Sequence, residues 1–342
     1  MAGLRTVQSI YFFRESVKKS ALKPTYRSVG FWYNKGMDFS LTSEQQMAQK
    51  MVRDFAQKEI APVIKEYDRQ QQPIPFMLKR MAELGILGIC FPARYGGQGL
   101  DYLSLGLACE ELEAVDSALR VAMSVHIGLC GLTLLQWGTQ EQKRRLLTPI
   151  ASGAKIGCGA FTESGMGSDV AAIQTFARWD GDAYILNGEK MWISLAGVAD
   201  LALVTARTDR AAKPSQSLST FLVDLRTPGV TRGDLHGKLG VRAGSTGWIS
   251  FTDVLVPLEN RIGEQGEGFK ITMSAFDHGR YTVAAGAAGA FYGHPCRPAR
   301  PTRVSARLLA GRSAITSSSS RRSPKWRRIT KLRACSTGRL AG

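Results

Sequence analysis

From residue 42 to 152 the apolar positions recur at the three- and four-residue steps of amphipathic helices. Thr42 and Ser43 ahead of Glu44, Gln45 and Gln46 mark a helix start, and Met47, Met51, Val52, Phe55 and Ile60 follow on one face. Pro62 falls where that helix should bend or restart. A second helix, about Pro75 to Leu84, stops at Gly85, and Gly88–Gly99 is too rich in glycine for a helix interior. Helical spacing returns from Tyr102 to Val115. Ser117–Trp137 is apolar almost throughout, as a buried helix is, and a short helix opening at Gly138–Gln142 ends near Ser152-Gly153.

The period then changes. Tyr184–Leu186, Leu201–Ala206, Thr220–Val223 and Trp248–Val256 are short β-like runs parted by glycine, aspartate and proline turns, which predicts an antiparallel β-domain. After Ile262–Gly268 the helical step returns at Phe269, Met273, Phe276 and Tyr281. Helices followed by strands argue against an alternating βαβ sheet. The expected class is α+β: an N-terminal helical domain (37–152), a central antiparallel β-domain (153–262) and the start of a C-terminal helical bundle (263–290).

Composition changes this picture only at the two ends. The chain has 342 residues, 45 Lys+Arg against 28 Asp+Glu, and a net charge of +17. Residues 1–36 hold seven basic and one acidic residue, and residues 291–342 hold thirteen basic and none acidic. The 254 residues between keep 25 basic and 27 acidic. A nucleic-acid-binding reading therefore rests on the ends alone, and its affinity would fall steeply with salt. No nucleic-acid partner is expected. Cys90, Cys109, Cys130, Cys158, Cys296 and Cys335 show no CxxC pair and no metal-ligand spacing, which predicts reduced thiols in an intracellular protein and no metal. No uninterrupted apolar run reaches the roughly 18 residues of a membrane span. Residues 1–36 read as a basic extension, either transit-like or upstream of a true start at Met37. The expected location is cytoplasmic, or the mitochondrial matrix if 1–36 is a transit peptide.

Candidate chemistry concentrates in Cys158–Ser194. It carries a polar, glycine-rich turn, Thr162-Glu163-Ser164-Gly165-Met166-Gly167-Ser168-Asp169, and an indole beside a hydroxyl in Met191-Trp192-Ile193-Ser194. Gly165 and Gly167 let backbone amides approach a ligand, and Thr162 and Ser168 add hydroxyls. A flat, phosphorylated cofactor needs such a surface; a β-hairpin with an ordinary turn and a core tryptophan would read the same way. The turn does not open a helix after a strand, so it is no dinucleotide fingerprint.

Phe161-Thr162-Glu163, Gly165, Gly167-Ser168-Asp169, Asn187-Gly188, Lys190-Met191-Trp192-Ile193-Ser194, Gly266, Gly268-Phe269 and the Arg94-Tyr95-Gly96-Gly97 loop together resemble the acyl-CoA dehydrogenase family, over about residues 41–290. The resemblance implies FAD held between the β-domain and a C-terminal four-helix bundle, an acyl-CoA substrate, a homotetramer or homodimer, and electron transfer to an electron-transfer flavoprotein. By motif, Phe161, Thr162, Gly167, Ser168 and Ile193 would contact FAD, Trp192 would pack on the isoalloxazine, and Ser194 would lie near its N5. Ser168, Asp277 and Arg280 would help bind the acyl-CoA; without the resemblance, Asp277 and Arg280 read as a solvated helical ion pair. An acyl-CoA oxidase or a flavin monooxygenase relative on the same fold is the alternative.

The end of the chain departs from that pattern. The resemblance implies a catalytic glutamate in the C-terminal bundle or, in a minority of the family, on the helix of Asp277, where this chain has Gly279. Residues 291–342 are Arg/Ser/Pro-rich and read as a disordered basic tail. Read out of frame, Val304–Ser320 is compatible with ERKTFGRPIGNHQLVQ and Arg333–Gly338 with RLLYW, both similar to the family's own C-terminal segments. The expectation is a frameshifted or truncated bundle, no base, weak or no FAD retention and little activity. The codons across residues 285–310 decide it.

Overall fold

The structure, a computed structural model, describes residues 40–293. The expected basic extension (1–36) and the tail from residue 294 onward lie outside them.

Helix α1 (Ser43–Phe55) begins where the capping signals place it. The Thr42 hydroxyl accepts from the Gln45 N–H at 3.2 Å, and Gln45 Oε1 accepts from the Thr42 N–H at 3.0 Å. Such a cap contributes about 1 kcal/mol. α1 buries Ala48, Val52 and Phe55, widens into a π-helical turn (Ala56–Ile60), and restarts after Pro62 as α2 (Ile64–Gln70). α3 (Met77–Glu83) is followed by Gly85 at φ 70°, a left-handed geometry that favours glycine. Asp101 caps α4 (Tyr102–Glu113), accepting from the Ser104 N–H at 2.8 Å; that bond leads the set that lowers its pKa.

Asp116 caps α5 (Ser117–Met123), which passes through a π-helical stretch (Ser124–Gly131) into α6 (Leu132–Trp137). The sequence shows no unbroken apolar run of membrane length, yet this 21-residue helix is long and apolar enough to cross one by length and composition. Its serines, His126, glycines and Thr133 interrupt the run without interrupting the helix. In the structure 78% of its most apolar window is buried against protein. α7 (Gln140–Gln142), a π-helical turn (Lys143–Leu147) and α8 (Thr148–Ala151) lead into the sheet.

The strands are β1 (Gly157–Ala160), β2 (Phe176–Trp179), β3 (Ala183–Ser194), β4 (Leu201–Arg207), β5 (Leu218–Asp224), β6 (Val230–Asp234), β7 (Thr246–Pro257) and β8 (Arg261–Ile262). Their order is β6-β7-β3-β2-β4-β5-β8, with β1 beside β4. The expectation of a purely antiparallel domain is corrected here: β1 runs parallel to β4, and β2 meets β4 in one parallel pair, Phe176↔Arg207. Parallel neighbours need a crossover, and the loop plus the β2–β3 hairpin supplies it. Helices and sheet share one core, from Val52 and Phe55 through Leu119 and Ile127 to Leu203 and Phe221.

Helix α9 (Gly268–Gly293) continues three residues past the expected end of the helical start, and packs on α4 through glycine. A Cβ on Gly106 would lie 2.5 Å from Tyr281 Oη, and one on Gly289 would lie 2.0 Å from the Glu110 carbonyl oxygen.

His126 ties the helices to the sheet. Its Nδ1 accepts from the Gly157 N–H at 3.0 Å, so Nε2 carries the proton and donates to the Ile150 carbonyl, also at 3.0 Å. Burial pushes its pKa from 6.5 down to about 4. The unfolded chain then takes up a proton first, so this contribution is complete above pH 6.5 and is lost as pH falls toward 4. At the low end the loss is about 3 kcal/mol. Urea unfolding at stepped pH should show this slope flattened in His126→Asn; an identical slope in the variant would assign it to other groups.

Candidate functional site

Past β1 the chain leaves the sheet at Phe161. That ring is buried, edge-on to Phe276 of α9 at 5.3 Å and 90°. Glu163 and Met166 exchange backbone bonds of 3.0 and 3.2 Å, closing a tight turn over Ser164-Gly165. Met166, Val170, Ile173 and Leu218 form a small apolar cluster beneath it, with Phe269, Met273 and Phe276 packed against it. The underside is therefore anchored and the outer side is free. Ser168 is exposed, and a Cβ on Gly165 or Gly167 would meet nothing within 4 Å.

The end of β3 runs alongside. The Met191 N–H donates to the Thr162 carbonyl at 2.9 Å. The β3–β7 register then slips between Met191 and Ile193, and Trp192 sits at φ 61° in this β-bulge. Leu195 follows at φ 68°, so left-handed residues bracket Ile193 and Ser194. Left-handed backbone costs an L-residue about 1–2 kcal/mol. Burial does not offset this at Trp192, whose indole is 61% exposed, while Ile193 is buried and Ser194 half-buried. A strained backbone that presents a large aromatic ring to the outside is a mark of function rather than of packing.

Between loop and strand lies a buried ion pair. Lys190 Nζ donates to Glu163 Oε1 at 2.8 Å and to the Phe161 carbonyl at 3.0 Å. Burial pushes the Lys190 ammonium down to about 8 against the opposing pull of Glu163. Burial also acts to raise the Glu163 carboxyl, but the Lys190 charge and hydrogen bonds from Lys190, Thr175 and Gln174 outweigh it and hold the group low.

On α9, Asp277 and Arg280 form an i,i+3 pair at 3.1 Å with side chains 78% and 67% exposed, the solvated geometry that the sequence leaves open. The Arg280 guanidinium lies 5.7 Å from the centre of the Phe276 ring, which joins this pair through Phe161 to the loop. Gly279 turns the other way: a Cβ there would stand 3.0 Å from Leu129 Cδ2.

The loop after β1 is thus bonded to the end of β3, and α9 packs against that loop through Phe276. Residues 42–154 match the family model of the acyl-CoA dehydrogenase N-terminal domain, and 158–254 that of its middle domain. The short-chain specific acyl-CoA dehydrogenase of Clostridium acetobutylicum is 42% identical over 253 residues, 74% of this chain and 66% of its own length. Butyryl-CoA dehydrogenase from Megasphaera elsdenii is 34% identical and superposes with a TM-score of 0.73, over 81% of this chain and 77% of that one. The chain belongs to the acyl-CoA dehydrogenase family. A chain in the structure of the electron transferring flavoprotein of Acidaminococcus fermentans, a study of flavin-based electron bifurcation, is 37% identical with a TM-score of 0.74, covering 81% and 76%. The chain spans 66% of the length of the Clostridium relative and 60% of the mitochondrial short-chain specific relative of Mus musculus.

Phe161 and Thr162 are bonded to the end of β3 that carries Trp192, Ile193 and Ser194; Gly167 and Ser168 lie on the open stretch of the same loop, and Arg280, paired with Asp277, reaches the loop through Phe276. Phe276 stands in the sequence only as a helical-step residue, and Glu163 and Lys190 only as motif members with no role of their own. The signal for the pair was present: Tyr184, Leu186 and Lys190 occupy the same parity along β3, so the lysine falls on the face that buries its neighbours.

Proposed function

We propose that this chain carries the flavin-facing half of a dehydrogenase that removes the α- and β-hydrogens of an acyl-CoA thioester. The observation that carries the reading is the exposed Trp192 indole on strained backbone, set beside an open glycine loop. An isoalloxazine ring fits such a surface: Trp192 forms one wall, Ser194 offers a hydroxyl at the ring edge, and Thr162, Gly167 and Ser168 provide the adjoining rim, while the buried side chains of Ile193 and Phe161 back it. FAD, when bound, would take up the hydride. The residues of this chain bind and orient. Ser168, Asp277 and Arg280 hold the acyl-CoA, and hydrogen bonds on the thioester oxygen acidify the α-carbon, an effect worth several kcal/mol. The short-chain specific relatives favour a short acyl group, and an electron-transfer flavoprotein is the acceptor.

The experiment is a titration of the purified 342-residue chain with FAD, followed by anaerobic addition of butyryl-CoA. Saturable quenching of flavin fluorescence, weakened in Trp192→Ala, is expected. Binding that ignores the Trp192→Ala substitution would overturn the assignment, and peroxide formed with butyryl-CoA in air would indicate an oxidase instead.

A further inference from the structure

Glu163 and Lys190 have no role in the account above, yet they are the most heavily bonded charged pair at this edge. Three consecutive loop residues are stitched to two consecutive strand residues. The Phe161 carbonyl accepts from Lys190 Nζ at 3.0 Å, the Thr162 carbonyl from the Met191 N–H at 2.9 Å, and Glu163 Oε1 from Lys190 Nζ at 2.8 Å. Glu163 fastens the far end of the loop as well. Its Oε1 accepts from the Thr175 N–H at 2.9 Å and the Thr175 hydroxyl at 2.6 Å, and its Oε2 from the Gln174 N–H at 2.8 Å. One carboxylate thus grips where the chain leaves β1, where it rejoins β2, and, through Lys190, the strand that carries Trp192.

The Lys190 side chain has no exposed surface and that of Glu163 only 9%. Across the ladder Lys190 pairs with apolar Ile249. Two apolar side chains would fill the same volume without desolvating two charges. What the pair adds is direction: four donors from two segments, β3 and residues 174–175, converge on one carboxylate of a third. The bulge at Trp192 begins immediately past this fastening, and the open stretch Gly165–Ser168 lies between its two ends.

We propose that Glu163 and Lys190 are positioning residues that lock the 161–169 loop to the bulged end of β3, so that Thr162, Ser168, Trp192 and Ser194 hold one mutual geometry before a ligand arrives. That this geometry serves a flavin rests on the function proposed above; the lock itself does not.

Hydrogen exchange followed by mass spectrometry on the full chain tests the lock, and FAD titration tests its purpose. Glu163→Gln keeps the side-chain shape and removes the charge, Lys190→Met keeps the length, and Lys190→Arg keeps the charge. In Glu163→Gln and Lys190→Met, amides of 161–169 and 190–194 should exchange at least tenfold faster, and by a clearly larger factor than those of 201–207 and 218–224. Lys190→Arg should retain more of the loop's protection than Lys190→Met. The first two variants should also weaken FAD at least tenfold and move the spectrum of the flavin toward that of free FAD. No change in exchange, an increase spread evenly over the sheet, or Lys190→Arg behaving as Lys190→Met would overturn the proposal. Locally faster exchange in a chain whose wild type shows no saturable FAD binding would uphold the lock and overturn the flavin assignment.

Discussion

Replacing Trp192 with glycine is expected to stabilise the flavin-free chain relative to Trp192→Ala while both substitutions weaken FAD. The two effects arise from different parts of the residue. The backbone at φ 61° costs any side-chain-bearing residue about 1–2 kcal/mol, which alanine retains and glycine releases. Glycine gives back about 0.5–1 kcal/mol through its freedom in the unfolded chain. Little burial is lost either way, because the indole is 61% exposed. Glycine should therefore exceed alanine by about 0.5–1 kcal/mol, a small upward shift in Tm readable by calorimetry. Loss of the ring removes a stacking surface worth roughly 1–3 kcal/mol, by analogy with base–aromatic stacking, so FAD should bind about tenfold to a hundredfold less tightly. Equal Tm values for the two variants would show that the strain is relieved elsewhere. Unchanged FAD affinity would remove Trp192 from the site.

Gly289→Ala should destabilise far more than its single methyl suggests. The new Cβ would stand 2.0 Å from the Glu110 carbonyl oxygen, a backbone atom within α4 that cannot swing aside. α9 must then lift from α4, which costs about 1–3 kcal/mol in strain and lost packing. The helix that lifts carries Phe276, Asp277 and Arg280, so the Phe161–Phe276 contact should loosen with it. Gly165→Ala is the control: its Cβ enters open space, and a change within about 0.5 kcal/mol is expected. Urea midpoints of the two variants provide the comparison. Equal midpoints would mean that α9 adjusts freely against α4, contrary to the close approach at Gly106 and Gly289.

The helical part was readable because its signals are local. Thr42, Asp101 and Asp116 are capping residues next to periodic apolar faces, and Gly85 stops a helix by its backbone alone. The glycine loop and the Trp192–Ser194 run were readable as unusual composition. The parallel strand was not. Gly157–Ala160 contains no β-branched or aromatic residue, and its place beside β4 is set by burial under the helix that carries His126. Lys190 was hidden differently. A lysine is taken for a surface residue unless its strand parity is followed, and its partner is 27 positions away in a loop. The φ of Trp192 has no local signature, since tryptophan does not favour left-handed backbone. It follows from a register slip that only the paired strands define.

The Glu163–Lys190 pair also limits how this edge can change over generations. Removing either partner alone leaves the other charge buried without its counter-ion, a loss of about 3–5 kcal/mol, which is a large part of a domain's whole stability. Exchanging both for apolar residues of similar volume can be nearly neutral. The two positions are thus separated from their alternatives by an unfit single mutant on either route, and related sequences should keep both residues or replace both together.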